Sequence, residues 1–144
     1  MSQASQPFSI LSTSECWDLL AGEKIGRLVT TVDDEAHIFP VNFVVHERTV
    51  LFRTAEGTKL SSAVTSKEVL FEADDYKQPE GWSVIVKGTA RSLRDEDEIA
   101  EAEGAGLVSW PTPEPTRFVR IRPLSVTGRR FVFGSAPDAS PSAT

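Results

Sequence analysis

The stretch FRTAEGTKLSSA, Phe52 to Ala63, gathers two cations, Arg53 and Lys59, with the hydroxyls of Thr54, Thr58, Ser61 and Ser62. A run of strand character precedes it. A helical pattern follows, with Gly57 breaking the strand and Gly57 or Thr58 placed to cap the helix. Such a group can hold an anion. Backbone N–H groups at a helix start lack intrahelical partners and sit at the positive end of its dipole. Arg53 can grip two phosphate oxygens, Lys59 adds a point charge, and Thr54 and Thr58 can donate. Charge-assisted bonds of this kind contribute about 1.5–3 kcal/mol each. Two or three would hold a phosphate monoester once an apolar body is buried with it. A nucleotide P-loop is excluded, because G-x-x-x-x-G-K-[ST] requires glycine where Phe52 stands. The competing expectation is a solvated turn in which Arg53 and Lys59 pair with Glu56 or Glu68.

Three other places carry chemical signals. In FPVNFVV, Pro40 and Asn42 interrupt an apolar strand and share one face by period-two alternation. Proline there implies an edge, a bulge or the approach of something other than a strand, and an amide beside it can read the polar rim of a flat ring. The alternative is an Asn that satisfies a local bulge. In EGWSVIVKGTA, Trp82 begins a strand that sets Ser83 and Lys87 on one face; a core role for Trp82 competes with ligand contact. Gly88 permits close backbone approach or marks a bulge. Trp110, followed by PTPEP, cannot sit in a regular helix and belongs to an extended arm, facing a partner, a ligand or its own core.

Bland readings suit the rest. Cys16 reads as a buried small apolar group, RDEDEIAEAE as a solvated helix face, and Arg129 and Arg130 as a solvated strand end. His37 and His46 lie on opposite faces of one strand. With two histidines and a single cysteine, an all-protein metal site and an intrachain disulfide are not expected.

The elements that position these residues follow from the pattern. A first helix opens at STSECWDLLAGEK, with capping-box spacing between Ser12 and Glu15. Strands are expected at 25–32, 36–45, 49–55, 68–74, 82–93 and 116–131, with a helix at 95–106. The last strand sets Val119 and Ile121 against Phe118, Arg120 and Arg122, as a half-exposed strand would. The closely spaced strands predict a mainly β (α+β), six-stranded antiparallel barrel, which removes open edges. Residues 10–133 form the domain, between a flexible 1–9 and a disordered tail at 134–144. The 144 residues suit one globular core, and the net charge of −6 argues against a broad nucleic-acid face. No apolar run approaches the roughly 20 residues of a membrane span, and the N-terminus lacks the pattern of a signal peptide. A cytoplasmic protein is expected.

Taken in order, GRLVTT, PVNFVV, LFRTAEGTKL, VLFEAD, GWSVIVKGTA and VRIRPLSVTGRRF resemble the pyridoxamine 5′-phosphate oxidase-like family of flavin-binding split β-barrels, in its small single-domain form. The resemblance implies a homodimer with FMN in two clefts at the interface. It places Arg53, Thr54, Thr58 and Lys59 at the flavin phosphate, Pro40, Val41 and Asn42 beside the isoalloxazine ring, and Trp82 and Ser83 near the flavin. Trp110 is similar to the residue that reaches the flavin from the second subunit. The ending TGRRF lacks the Arg-x-His-type substrate motif of the vitamin enzyme, which argues against pyridoxamine phosphate as substrate.

The expected function is an FMN-dependent oxidoreductase moving a hydride between flavin N5 and a small or planar molecule, which needs no acid–base pair from the protein. A deazaflavin-dependent reductase on the same fold would require a wider basic rim, which Lys87, Arg91, Arg129 and Arg130 would supply. A non-catalytic flavin- or haem-binding barrel, with His37 or His46 as axial ligand, is a third expectation. A barrel without cofactor, acting as an interaction module, is a fourth.

Overall fold

A computed structural model of the chain describes residues 8–64, 67–108, 111 and 115–133. Seven strands are present among them: β1 (Phe8–Ile10), β2 (Ile25–Val32), β3 (Glu35–His46), β4 (Thr49–Ala55), β5 (Lys67–Lys77), β6 (Glu80–Ser92) and β7 (Thr116–Val132). Three helices join them: α1 (Thr13–Ala21), α2 (Lys59–Ala63) and α3 (Glu96–Glu103). The strands run in the order β1-β7-β4-β3-β2-β5-β6, and β6 pairs again with β7. Six of them therefore close the expected barrel, and every pairing in it is antiparallel.

The short β1 is the addition. Its residues 8–10 pair with 129–131 of β7, beyond the stretch of β7 that β4 covers, where the edge would otherwise stand open. Phe8 and Ser9 thus belong to the sheet rather than to a flexible terminus. The other residues assigned to flexible ends, 1–7 and 134–144, lie outside the described residues.

Local chemistry sets the elements. Ser12 caps α1 through its side chain, and Glu15 returns the bond to the Ser12 amide, completing the capping box. Trp17, Leu20 and Cys16 are buried on the inner side of α1, and burial pushes the Cys16 thiol pKa up. Both hairpins after β2 and β3 turn on two residues with positive φ, Asp33–Asp34 and Glu47–Arg48, the conformation of a type I′ turn. Inward-facing Leu28, Phe43, Phe52, Phe71, Val84, Val86, Val119 and Ile121 fill the barrel. At Gly88 the register of β6 on β7 shifts. A Cβ there would fall on the Arg122 carbonyl, so the bulge needs glycine.

The half-exposed reading of the last strand requires correction. Phe118, Val119, Arg120 and Ile121 are all buried. Val119 and Ile121 face the barrel core. On the outer side, Leu51, Leu93 and Phe118 form a second core beneath α3, with Ala102 buried and Ile99 and Leu107 packed against it. Consequently α3 is not a purely solvated helix; its apolar side roofs β4, β7 and Leu93, just past the end of β6. Glu98 of α3 reaches Arg120 and Arg122 at 3.9 and 3.7 Å, and Arg120 also donates to Thr49 Oγ1 at 2.6 Å.

Candidate functional site

The barrel is split. The β3–β4 ladder runs from His46–Thr49 to Phe43–Phe52 and stops. The next residues are Asn42 on β3 and Arg53 on β4, which by alternation both turn outward while Phe43 and Phe52 turn in. From there β3 continues only against β2, through Pro40–Arg27 and Asn42–Ile25, and β4 continues only against β7, through Arg53–Phe118 and Thr54–Arg117. Pro40 therefore lies where β3 has an open side, as its missing N–H requires. Val41 is buried in the barrel core.

Arg53 lies with its guanidinium 4.4 Å from the centroid of the Phe118 ring. It lines a groove of about 380 Å³ with Glu56, Leu93, Arg94, Ile99, Glu103, Thr116, Arg117 and Phe118. Arg117 pairs with Glu56 at 3.1 Å, and Lys87 pairs with Glu68 at 3.7 Å.

Neither Thr58 nor Lys59 lines this groove. Helix α2 runs only five residues, and Thr58 caps it, accepting from the Ser61 amide at 3.1 Å. The same hydroxyl donates to the Ala55 carbonyl at 2.7 Å. Thr54 is 4% exposed, and its hydroxyl lies 3.4 Å from that of Thr58. The Thr58 hydroxyl thus accepts from one amide of the helix start and spends its own proton within the turn. Lys59 is exposed at the first position of α2.

The remaining candidates fall elsewhere. Trp82, half-buried against the main core, lines a second groove of about 350 Å³ at the opposite end of β6, with Leu19, Asp75, Lys77 and Arg130. Ser83 turns outward and donates to Glu72 at 3.0 Å. Glu72 also accepts from Arg27 Nε at 2.9 Å, and Arg27 reaches Asp74 at 2.9 Å. Burial pushes the Glu72 pKa up, with the neighbouring Asp74 carboxyl adding to it. Trp110 lies outside the described residues. The basic rim proposed for a longer cofactor is dispersed: Arg130 pairs with Glu80 at 3.6 Å, Arg129 lies 5.8 Å over the Phe8 ring, and Arg91 stands opposite Arg120. His37 lies 3.5 Å from Glu35 and stacks on Phe39.

Sequence reasoning missed Arg94, Arg117 and the Phe118 floor. Their signal is visible only once Leu93 and Phe118 are known to be neighbours, through the Leu93 N–H to Phe118 carbonyl bond of 2.9 Å.

The fold is a six-stranded antiparallel split β-barrel, with a groove lined by three arginines and two glutamates beside its opening. Residues 12–130 match the family model described as pyridoxamine 5′-phosphate oxidase, and the chain belongs to that family. It is 59% identical to an FAD binding protein from Mycobacterium smegmatis, whose structure matches with a TM-score of 0.80 over 85% of this chain and 99% of that one. An uncharacterized protein of Mycobacterium tuberculosis is 52% identical over 97 residues, covering 67% of this chain and 88% of the relative. A second uncharacterized protein from that organism is 34% identical over 140 residues, covering 92% and 91%. An FAD-binding protein from Mesorhizobium loti, 23% identical with a TM-score of 0.75 over 87% of this chain and 99% of that one, shares the fold.

Proposed function

We propose that this chain is a flavin-binding oxidoreductase acting as a homodimer on a small or planar substrate. The observation that carries the reading is the parting of β3 and β4, which leaves Asn42 and Arg53 as the first outward residues on either side of the opening. Arg53 would take the flavin phosphate, as a planar guanidinium suits phosphate oxygens. Lys59 would add long-range charge from α2 rather than direct contact within the groove. Pro40 and Asn42 would lie along the ring, with the Asn42 amide bonding its polar edge. When bound, the flavin supplies hydride transfer at N5, and the chain binds, orients and shields it.

The dimer reading rests on the outer face of β3, β2, β5 and β6. Ile38, Ile25, Leu70 and Ile85 are 66, 50, 41 and 42% exposed on it, an apolar concentration that favours covering. Arg27 on this face is held by both Glu72 and Asp74, so its guanidinium needs no partner from a second chain. Ser83 and Trp82 lie far along β7 from Arg53, opposite Arg129 and Arg130 where Arg53 lies opposite Phe118, and a second chain would account for a site divided in this way.

FMN needs one phosphate site, which Arg53 provides; the relative described as an FAD binding protein supports the dinucleotide. The dispersal of Lys87, Arg91, Arg129 and Arg130 gives no support to the deazaflavin reading. The testing experiment is anaerobic reduction of the flavin-loaded protein followed by mixing with quinones and other planar acceptors. Reoxidation that saturates with acceptor concentration supports an oxidoreductase. Rates that stay linear and match free flavin indicate a binding or storage protein.

A further inference from the structure

We infer that closing the outer face of β3, β2, β5 and β6 on a second copy of the chain draws one proton onto each Glu72–Arg27–Asp74 cluster, so that acid tightens the dimer and alkali loosens it. This rests on the homodimer reading above and adds a regulation to it.

The cluster lies among the aliphatic residues of this face. Arg27 is the register partner of both Pro40 and Glu72, and Glu72 is also the partner of Ile85. By alternation Ile25 and Val29 flank Arg27 on β2, and Leu70 and Asp74 flank Glu72 on β5. Val29 in turn pairs with Ile38 and Leu70. The Glu72 side chain is 23% exposed and that of Arg27 40%. A copy laid over Leu70 and Ile85 strips the remaining water from both.

Two carboxylates share one guanidinium, Arg27 reaching Glu72 at 2.8 Å and Asp74 at 2.9 Å. Fully ionised, the cluster therefore carries one uncompensated negative charge. The groups facing it do not cancel that charge. From β6, Ser83 donates a neutral hydrogen bond to Glu72, and Lys87 is engaged by Glu68. On β7, Arg129 stands opposite Ser83 with its guanidinium over the Phe8 ring. On β3 the outward residues beside Arg27 and Ile25 are Pro40 and Asn42, neither of them ionisable. Beyond α1, Glu23 adds a further carboxylate; burial pushes its pKa up, Asp75 and Asp74 add to this, and Lys77 opposes it. Withdrawing a net anion from water favours its neutral form. Burial already pushes the Glu72 pKa up in the single chain, and a covering copy extends the same cause. The dimer thus binds more protons than two monomers do. Its dissociation constant rises with pH between the monomer and dimer pKa values of Glu72.

The test is fluorescence-detected sedimentation of the full chain from nanomolar to micromolar concentration, at several pH values between about 5 and 8. The wild type is compared with Glu72→Gln and Asp74→Asn, which keep the side-chain shapes and are checked for folding by circular dichroism. The expected result is a wild-type dissociation constant that rises at least about tenfold across that range, against less than about threefold in either variant. Where the wild-type dimer is too tight to dissociate on dilution, subunit-exchange rates over the same pH series read the same trend. A wild-type constant that is flat, that falls as pH rises, or that changes equally in either variant overturns the inference and leaves the homodimer standing. A wild type that is monomeric at every pH overturns both.

Discussion

Arg27 on β2 and Glu72 on β5 are joined by two contacts, Nε to Oε1 at 2.9 Å and Nη2 to the same oxygen at 2.8 Å. The second Glu72 oxygen accepts from Ser83 at 3.0 Å, and Asp74 shares the Arg27 guanidinium. Two carboxylates on one cation, partly withdrawn from water, raise the Glu72 pKa, burial being the larger cause. The folded chain therefore holds this proton more tightly than the unfolded chain does. Its contribution to stability is full below the ordinary glutamate value of about 4.3 and is lost as pH rises through the raised value.

Glu72→Gln should remove that dependence. Denaturant titrations at several pH values between about 4 and 7 should show the variant gaining on the wild type as pH rises. A difference that stays flat or reverses would show that the Arg27 pair outweighs burial at this site.

Arg53→Gln should weaken flavin affinity by about 1.5–3 kcal/mol, one to two decades, because a charge-assisted phosphate contact is lost. Lys59→Ala should cost less than Arg53→Gln, since Lys59 does not line the groove. Titration of both variants decides between them; an order reversed in favour of Lys59 would place the phosphate at α2.

Ile38→Asp together with Ile85→Asp should convert a dimer into monomers, since each places a charge on the exposed aliphatic face of the sheet. Light scattering with the wild type as reference reads this directly. A wild type that is monomeric at micromolar concentration, or a variant still dimeric, would remove this face from the assembly.

Asp34→Gly should stabilise the chain by about 0.5–1 kcal/mol. Asp34 has φ +64° at the second position of the β2–β3 turn, where the left-handed conformation costs an L-residue about that much and Asp-Gly is favoured. Chemical denaturation should show a higher midpoint at an unchanged slope; no rise would mean the turn carries no such cost.

How much of this was legible follows from the residues themselves. The strands over 25–32 and 49–55 emerged with the boundaries their alternation implied, and Ser12 with Glu15 announced the start of α1, because these signals are local. The double burial of Phe118 to Ile121 was not legible, since the roof over it comes from α3 on a distant stretch of chain. Thr54 and Thr58 looked like ligand donors because side-chain type says nothing about local competition, and the turn carbonyl of Ala55 claims the Thr58 proton first. Arg53 was legible as a candidate; its neighbours Arg94 and Arg117 were hidden by long sequence separation, and only the β4–β7 register and the Leu93–Phe118 bond bring them together.

The most direct test of the account is the absorption spectrum of the protein as purified, followed by flavin titration of wild type and Arg53→Gln side by side. The account predicts saturable flavin binding that Arg53→Gln weakens by about tenfold to a hundredfold. Absence of flavin binding, or equal affinity in the two proteins, would contradict it.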